Sequence, residues 1–160
     1  MNRVGQNPDQ QAELNTDINS VGSEIVHRIA FLHRIFDREL EKAVSGHGLN
    51  TAKFDVLAAL RRAGPPHVLT PGDLLTITGV ASGTMTNRIN RLVADGFVRR
   101  TRDSGDNRSF RIQLTDTGLD LIDHAAVTHA DTQARLISRL TSNERRALAR
   151  LLGKSLDQGA

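Results

Sequence analysis

The sequence predicts a mainly α-helical chain with one small β-hairpin between two long helices. Apolar residues recur at steps of three and four towards both ends, the spacing of one helix face. In the middle, glycines, prolines and capping residues cut the chain into shorter helical pieces. Two runs of strand formers, "FVRRT" and "FRIQLT", are separated by a polar loop containing Gly105, which marks the hairpin.

Residues 1 to 16 are polar and read as a flexible N-terminal arm. Ile18, Val21, Ile25, Ile29, Leu32, Phe36 and Leu40 then form a narrow stripe on a helix over 17–45, which Gly46 and Gly48 stop. Thr51 is the expected cap of a second helix, with Phe54, Leu57, Ala58 and Leu60 facing inward. Pro65 and Pro66 end it, since proline lacks the N–H that a helical ladder needs. Thr70, Pro71 and Asp73 signal a fresh start, and a short helix runs through Leu74, Leu75 and Ile77 to Gly79. After the turn "GVAS" comes a helix from Gly83 to Asp95, stopped by Gly96. Helix, tight turn and helix make a helix-turn-helix candidate.

Behind the hairpin, Thr115 caps a second long helix. Leu119, Ile122, Ala126, His129, Gln133, Leu136 and Leu140 are expected along one side of it. Thr141 and Glu144 form a capping box that opens a last helix through Leu148, Leu151, Leu152 and Leu156. Helices over 17–45 and 116–158 therefore flank a central unit over 50–115. Their seams are too thin for one small domain to cover and suit intertwined helices in a homodimer. Two-fold symmetry would set two reading helices about one DNA turn apart, roughly 34 Å.

Composition narrows the function. The 160 residues are 38% hydrophobic, enough for a core, but aromatics are 3%, with neither Trp nor Tyr. Stacking on single-stranded nucleic acid therefore has few residues to use. With no cysteine, disulfides, thiolate ligands and a cysteine nucleophile are excluded. The first twenty residues lack the apolar core of a signal peptide, and no apolar run reaches bilayer length, so a cytoplasmic protein without a membrane partner is expected. The histidines never stand at i, i+4, and His124 and His129 are five apart, so no metal pair is indicated. No G-x-S-x-G elbow occurs, and "GHG" at 46 to 48 lacks the rest of a dinucleotide fingerprint. Neither an enzyme nor a cofactor is expected. His129 falls on an apolar seam, where a histidine is usually satisfied by a hydrogen bond and less often senses pH.

The charge is concentrated. Between residues 82 and 114, seven arginines face three aspartates, a net +4 against +3 for the whole chain. Such clustering is the footprint of phosphate binding. On a wheel of residues 83 to 95, Met85, Ile89, Leu92 and Val93 share the inward side. Opposite them stand Gly83, Thr84, Thr86, Asn87, Asn90 and Arg91. An ordinary solvated face usually mixes Glu and Lys; short hydrogen-bonding groups with arginine suit base edges in a major groove. Beside that helix the hairpin can place Arg108 in a narrow minor groove, with Asp106 holding its guanidinium. The plainer alternative is a surface turn with a weak ion pair.

"LNTAKFDVLAALRRAG", "SGTMTNRINRLVADGFVRR", "DNRSFRIQLTDTG" and "LTSNERRALARLL" together resemble the MarR family of bacterial transcription regulators, over about residues 20 to 155. The resemblance implies a winged helix-turn-helix homodimer that binds palindromic double-stranded DNA, associates with the nucleoid when bound, and is often released by a small ligand. Residues 82 to 91, beginning at Ser82, match the recognition helix. Asp106 and Arg108 match the wing pair, with Asn107 where Arg is common. "FDVLAALRRAGPP", "TNRINRL" and "VRR" are similar to the branch that answers urate and related anions. That similarity implies an effector pocket in which Asp55, Arg88 and Arg100 take part. The chain has no Trp to match the branch's first-helix Trp, so a less aromatic carboxylate than urate is expected. The competing function is a winged-helix module for protein contacts, without sequence-specific DNA binding. It would need an apolar or mixed exposed helix face and no basic wing.

Overall fold

A computed structural model of the chain describes residues 21–102 and 110–157. Two compact units divide the chain, one up to Arg38 and one from Glu39 onward. In chain order the elements are α1 (Val21–Ser45), α2 (Thr51–Arg62), β1 (Val68–Leu69), α3 (Pro71–Thr78), α4 (Ser82–Ala94), β2 (Val98–Arg102), β3 (Phe110–Leu114), α5 (Asp116–Leu136) and α6 (Ser142–Leu156). The expected class is present: a helical chain with a small antiparallel sheet. The expected arm at residues 1–16 and the tip of the hairpin lie outside the described residues.

Helix α2 is the centre of the second unit. Val56, Leu57, Ala59 and Leu60 are all buried on it, so more of its circumference is covered than a single inward stripe would allow. Around it close Leu74 of α3, Met85, Ile89 and Leu92 of α4, Ile112 of β3 and Ile122 of α5. Each such side chain contributes about 1.5–3 kcal/mol by leaving water. The cap of α2 is Asn50 rather than the expected Thr51. The Asn50 carboxamide oxygen accepts from the Lys53 amide at 2.8 Å. Thr51 instead donates its backbone N–H to the Glu41 carboxylate at 2.7 Å, and its hydroxyl to the same oxygen.

The sheet has a strand that the sequence did not advertise. After Pro65 and Pro66, Val68 and Leu69 pair with Gln113 and Ile112, so β3 lies between β1 and β2. Two residues are too few to show alternation, and only the ladder reveals them. In the hairpin itself, Val98 pairs with Leu114, Arg100 with Ile112 and Arg102 with Phe110. Side chains alternate across a strand, so Val98, Arg100, Ile112 and Leu114 share the face turned to the core.

Three other expectations are corrected. Val93 is exposed rather than inward. Helix α5 buries Gly118, Ile122, Ala125 and Thr132, and Leu119 packs against the core. Its packed face thus keeps the expected Leu119 and Ile122 but extends to Gly118 and Ala125, while the expected Gln133 is exposed. Leu140 lies beyond its end. At Gly118 an added Cβ would stand 2.0 Å from the Phe97 carbonyl oxygen. Only a glycine lets α5 approach that backbone, where the Thr115 hydroxyl also donates to the Gly96 carbonyl at 2.8 Å.

Candidate nucleic-acid interface

The reading helix is aimed by what precedes it. Thr70 and Asp73 form a reciprocal capping box at the start of α3, with the Asp73 amide donating to the Thr70 hydroxyl at 3.1 Å. Gly79 then turns the chain at φ 67°, a left-handed conformation that costs glycine little. Helix α4 begins at Ser82 after Ala81, which offers no side-chain cap, and has no acid in its first turn. The first-turn N–H groups therefore lack a side-chain cap, beside the positive end of the helix dipole.

Burial divides α4 along its length. Met85, Ile89 and Leu92 are buried, while Ser82, Gly83, Thr84, Thr86, Asn87, Asn90 and Arg91 are all exposed on the remaining surface. At the far end, Lys53 reaches the Asp95 carboxylate at 2.6 Å and ties α2 to the stop of α4. From the sheet beside it, Arg99, Arg100, Arg102 and Arg111 are exposed as well. Arg99 donates to the Gln113 carboxamide oxygen at 3.0 Å, and Gln113 in turn donates to the Pro66 carbonyl at 3.1 Å. Asp106 and Arg108 lie outside the described residues.

The three residues implied as an effector pocket are placed in two groups. Asp55 on α2 is half-buried, and burial pushes its carboxyl above the usual 3.8, with Arg88, His129 and Arg62 each pulling it back down. One terminal nitrogen of Arg88, Nη1, is buried without a hydrogen-bond partner. Arg100 has other company: Nη2 donates to the Asn90 Oδ1 at 2.5 Å, and the guanidinium carbon sits 5.0 Å from the Phe110 ring centre.

His129 joins the first group, which its place in the sequence did not reveal. Its ring stacks on Phe54 at 4.4 Å and 26° between planes. Burial lowers its pKa below the usual 6.5, opposed by the Asp55 charge. The link between His129 on α5 and Asp55 on α2 is purely tertiary, so no spacing rule reports it.

A family model described as "MarR family" matches residues 47–109, from the end of α1 into the hairpin loop. The HTH-type transcriptional regulator PecS of Dickeya dadantii (strain 3937) is 33% identical over 130 residues, covering 81% of this chain and 78% of that protein. The chain belongs to the MarR family. The multiple antibiotic resistance protein MarR of Escherichia coli (strain K12) is 31% identical over 121 residues, 75% of this chain and 82% of that one. A crystal structure of an E. coli MarR mutant complexed with operator DNA superposes with a TM-score of 0.75 at 28% identity, over 86% of this chain and 99% of the other. The MarR fold and family are those of transcription regulators, which are not enzymes.

Proposed function

We propose that this MarR-family regulator is a homodimeric, ligand-responsive repressor that reads pseudo-palindromic duplex DNA, and that it works in the cytoplasm. The observation that carries the reading is the surface of α4: seven small polar or basic residues exposed over three buried apolar ones. Thr and Asn offer hydrogen bonds to base edges, and Arg91 a bidentate fork. The exposed arginines of β2 and β3, on both faces of the neighbouring hairpin, fit phosphate contact. A MarR relative complexed with operator DNA supports the same reading. The protein-contact alternative needs an apolar or mixed face, and over residues 82–91 no exposed residue of α4 has an apolar side chain.

In this proposal Ser82, Gly83, Thr84, Thr86, Asn87, Asn90 and Arg91 lie in the major groove, and Asp106 with Arg108 serves the minor groove. The test is binding to duplex fragments of the protein's own genome across a salt series. Six or more neutralised phosphates per dimer give a log–log slope of about −5 or steeper. A flat salt response with no sequence retained would end the proposal.

An effector site of anionic specificity is favoured by the buried, unpartnered Arg88 Nη1 beside the half-buried Asp55. A carboxylate there would satisfy the guanidinium and repel Asp55. Release of DNA requires the anion to prefer the DNA-free arrangement. Urate, salicylate and aliphatic carboxylates are to be titrated into the complex with wild type and Arg88→Ala. An anion that releases both equally well, at matched DNA saturation, rules Arg88 out as the sensor.

A further inference from the structure

Asn90 is the exposed carboxamide of α4 that the sheet also touches, and the touching atom decides its chemistry. Arg100 donates to it at 2.5 Å. A guanidinium has five N–H donors and no acceptor, so the atom facing it must be the carbonyl oxygen, and the amide nitrogen must face elsewhere. Among the described residues no hydrogen bond fixes the carboxamide of Asn87, three residues earlier.

The geometry holding Arg100 in place is built from strand parity. Arg100 pairs with Ile112 and shares the core-turned face with Val98 and Leu114, which is why its side chain runs towards α4. Phe110, diagonal to it across the ladder, supports the guanidinium from 5.0 Å. Arg99, one residue earlier, points to the opposite face and binds Gln113. Among the described residues, the Asn90 side chain makes no hydrogen bond other than that with Arg100.

We propose that Arg100 is a positioning residue that makes Asn90 a hydrogen-bond donor towards DNA, selecting guanine over adenine at the base pair Asn90 meets. This rests on α4 being the reading helix. An asparagine reads adenine by using both ends of its amide, accepting from N6 and donating to N7. Oδ1 keeps a second lone pair, but the Arg100 guanidinium fixes its direction and competes with adenine N6 for it, which weakens the acceptor end of that bidentate pair. The NH2 end meets no such competitor and complements the two acceptors of guanine, O6 and N7. Arg100 thus contributes to sequence preference without touching a base.

The test is selection from a random-sequence duplex library with full-length wild type, Asn90→Ala, Arg100→Ala, Arg99→Ala and the double variant of Asn90 and Arg100. The base pair whose preference disappears in Asn90→Ala defines the position. There, wild type is expected to favour guanine over adenine by about fivefold or more. Arg100→Ala is expected to abolish or invert that ratio, and the double variant to match Asn90→Ala. Arg99→Ala, which removes the same charge from the other face of the strand, is expected to weaken all sequences and leave the ratio unchanged. Wild-type preference for adenine at that position overturns the proposal. So does an Arg100→Ala variant that weakens every sequence alike, as Arg99→Ala does. If wild type selects an operator but Asn90→Ala alters no position, the DNA-reading function stands and the role of Arg100 falls. If wild type selects nothing, both fall.

Discussion

Helices α4 and α6 have the same kind of sequence, an apolar stripe on an otherwise polar helix, and opposite outcomes. In α4 the stripe is covered by its own chain: Leu92 is 0% exposed, and Met85 and Ile89 are nearly as deep. In α6 no residue is buried, and Leu151 and Leu156 are 52% and 79% exposed. The first helix has therefore completed its packing within one chain, and its polar face is what is left for a partner. The second offers its apolar face instead. Amphipathicity alone does not tell these apart; what lies opposite the stripe does. The proposed partners follow from that: DNA for the polar face of α4, and a second copy of the chain for the leucines of α6.

The largest effect is expected from removing residues 141–160, which deletes Leu148, Leu151, Leu152 and Leu156, each worth about 1.5–3 kcal/mol when covered. Light scattering should then find a monomer or a poorly folded chain. A full-length protein that is already a stable monomer at micromolar concentration would break the comparison at its root.

Paired leucine substitutions sharpen it. Leu92→Ala should lower unfolding stability by about 2–5 kcal/mol at any protein concentration, because its cavity lies inside one chain. Leu151→Ala should weaken dimerisation by about tenfold or more and make the melting temperature depend more steeply on concentration. Denaturant melts at two concentrations separate the cases. Identical behaviour of the two variants would mean that α4 and α6 are packed alike.

On the polar face, Asn87→Ala and Arg91→Ala should each cost about 1–3 kcal/mol of preference for the operator over random duplex. Arg108→Ala should weaken both DNAs together and reduce the salt slope by about one unit. Equal losses on both DNAs for all three variants would remove the distinction between groove reading and phosphate contact.

The smallest effect concerns pH. Burial holds the His129 pKa below its usual 6.5, so the folded chain binds that proton less well than the unfolded chain does. Its contribution to stability is complete above the usual value and declines as pH falls towards the lowered one. Asp55 runs the other way: its raised pKa favours the fold below 3.8, and that contribution is lost as pH rises through the raised value. As pH falls below the usual 6.5 towards the lowered value, thermal stability should therefore fall with acidification, and His129→Phe, which keeps a ring against Phe54, should flatten the decline. An unchanged slope in the variant would assign it to other groups.

Much of this protein follows from local chemistry. The capping boxes at Thr70 and Thr141, the stops at Gly79 and Gly96 and the charge between residues 82 and 114 are decided within a few residues, and each was legible in order along the chain. The exposed face of α4 was legible too, since a period of 3.6 residues separates Asn87 and Arg91 from Met85, Ile89 and Leu92. What required the tertiary structure was every choice between near-equal local options. Asn50 took the cap from Thr51 because Glu41, ten residues from Thr51, claimed Thr51. Helix α5 lies against the Phe97 backbone at Gly118, where no side chain would fit. Strand β1 exists only because β3 had an open edge. Arg100 faces Asn90, and His129 faces Phe54, through pairings that join distant parts of the chain. Periodicity and capping specify where an element begins and which side is apolar; only contact across the fold specifies what each side chain meets.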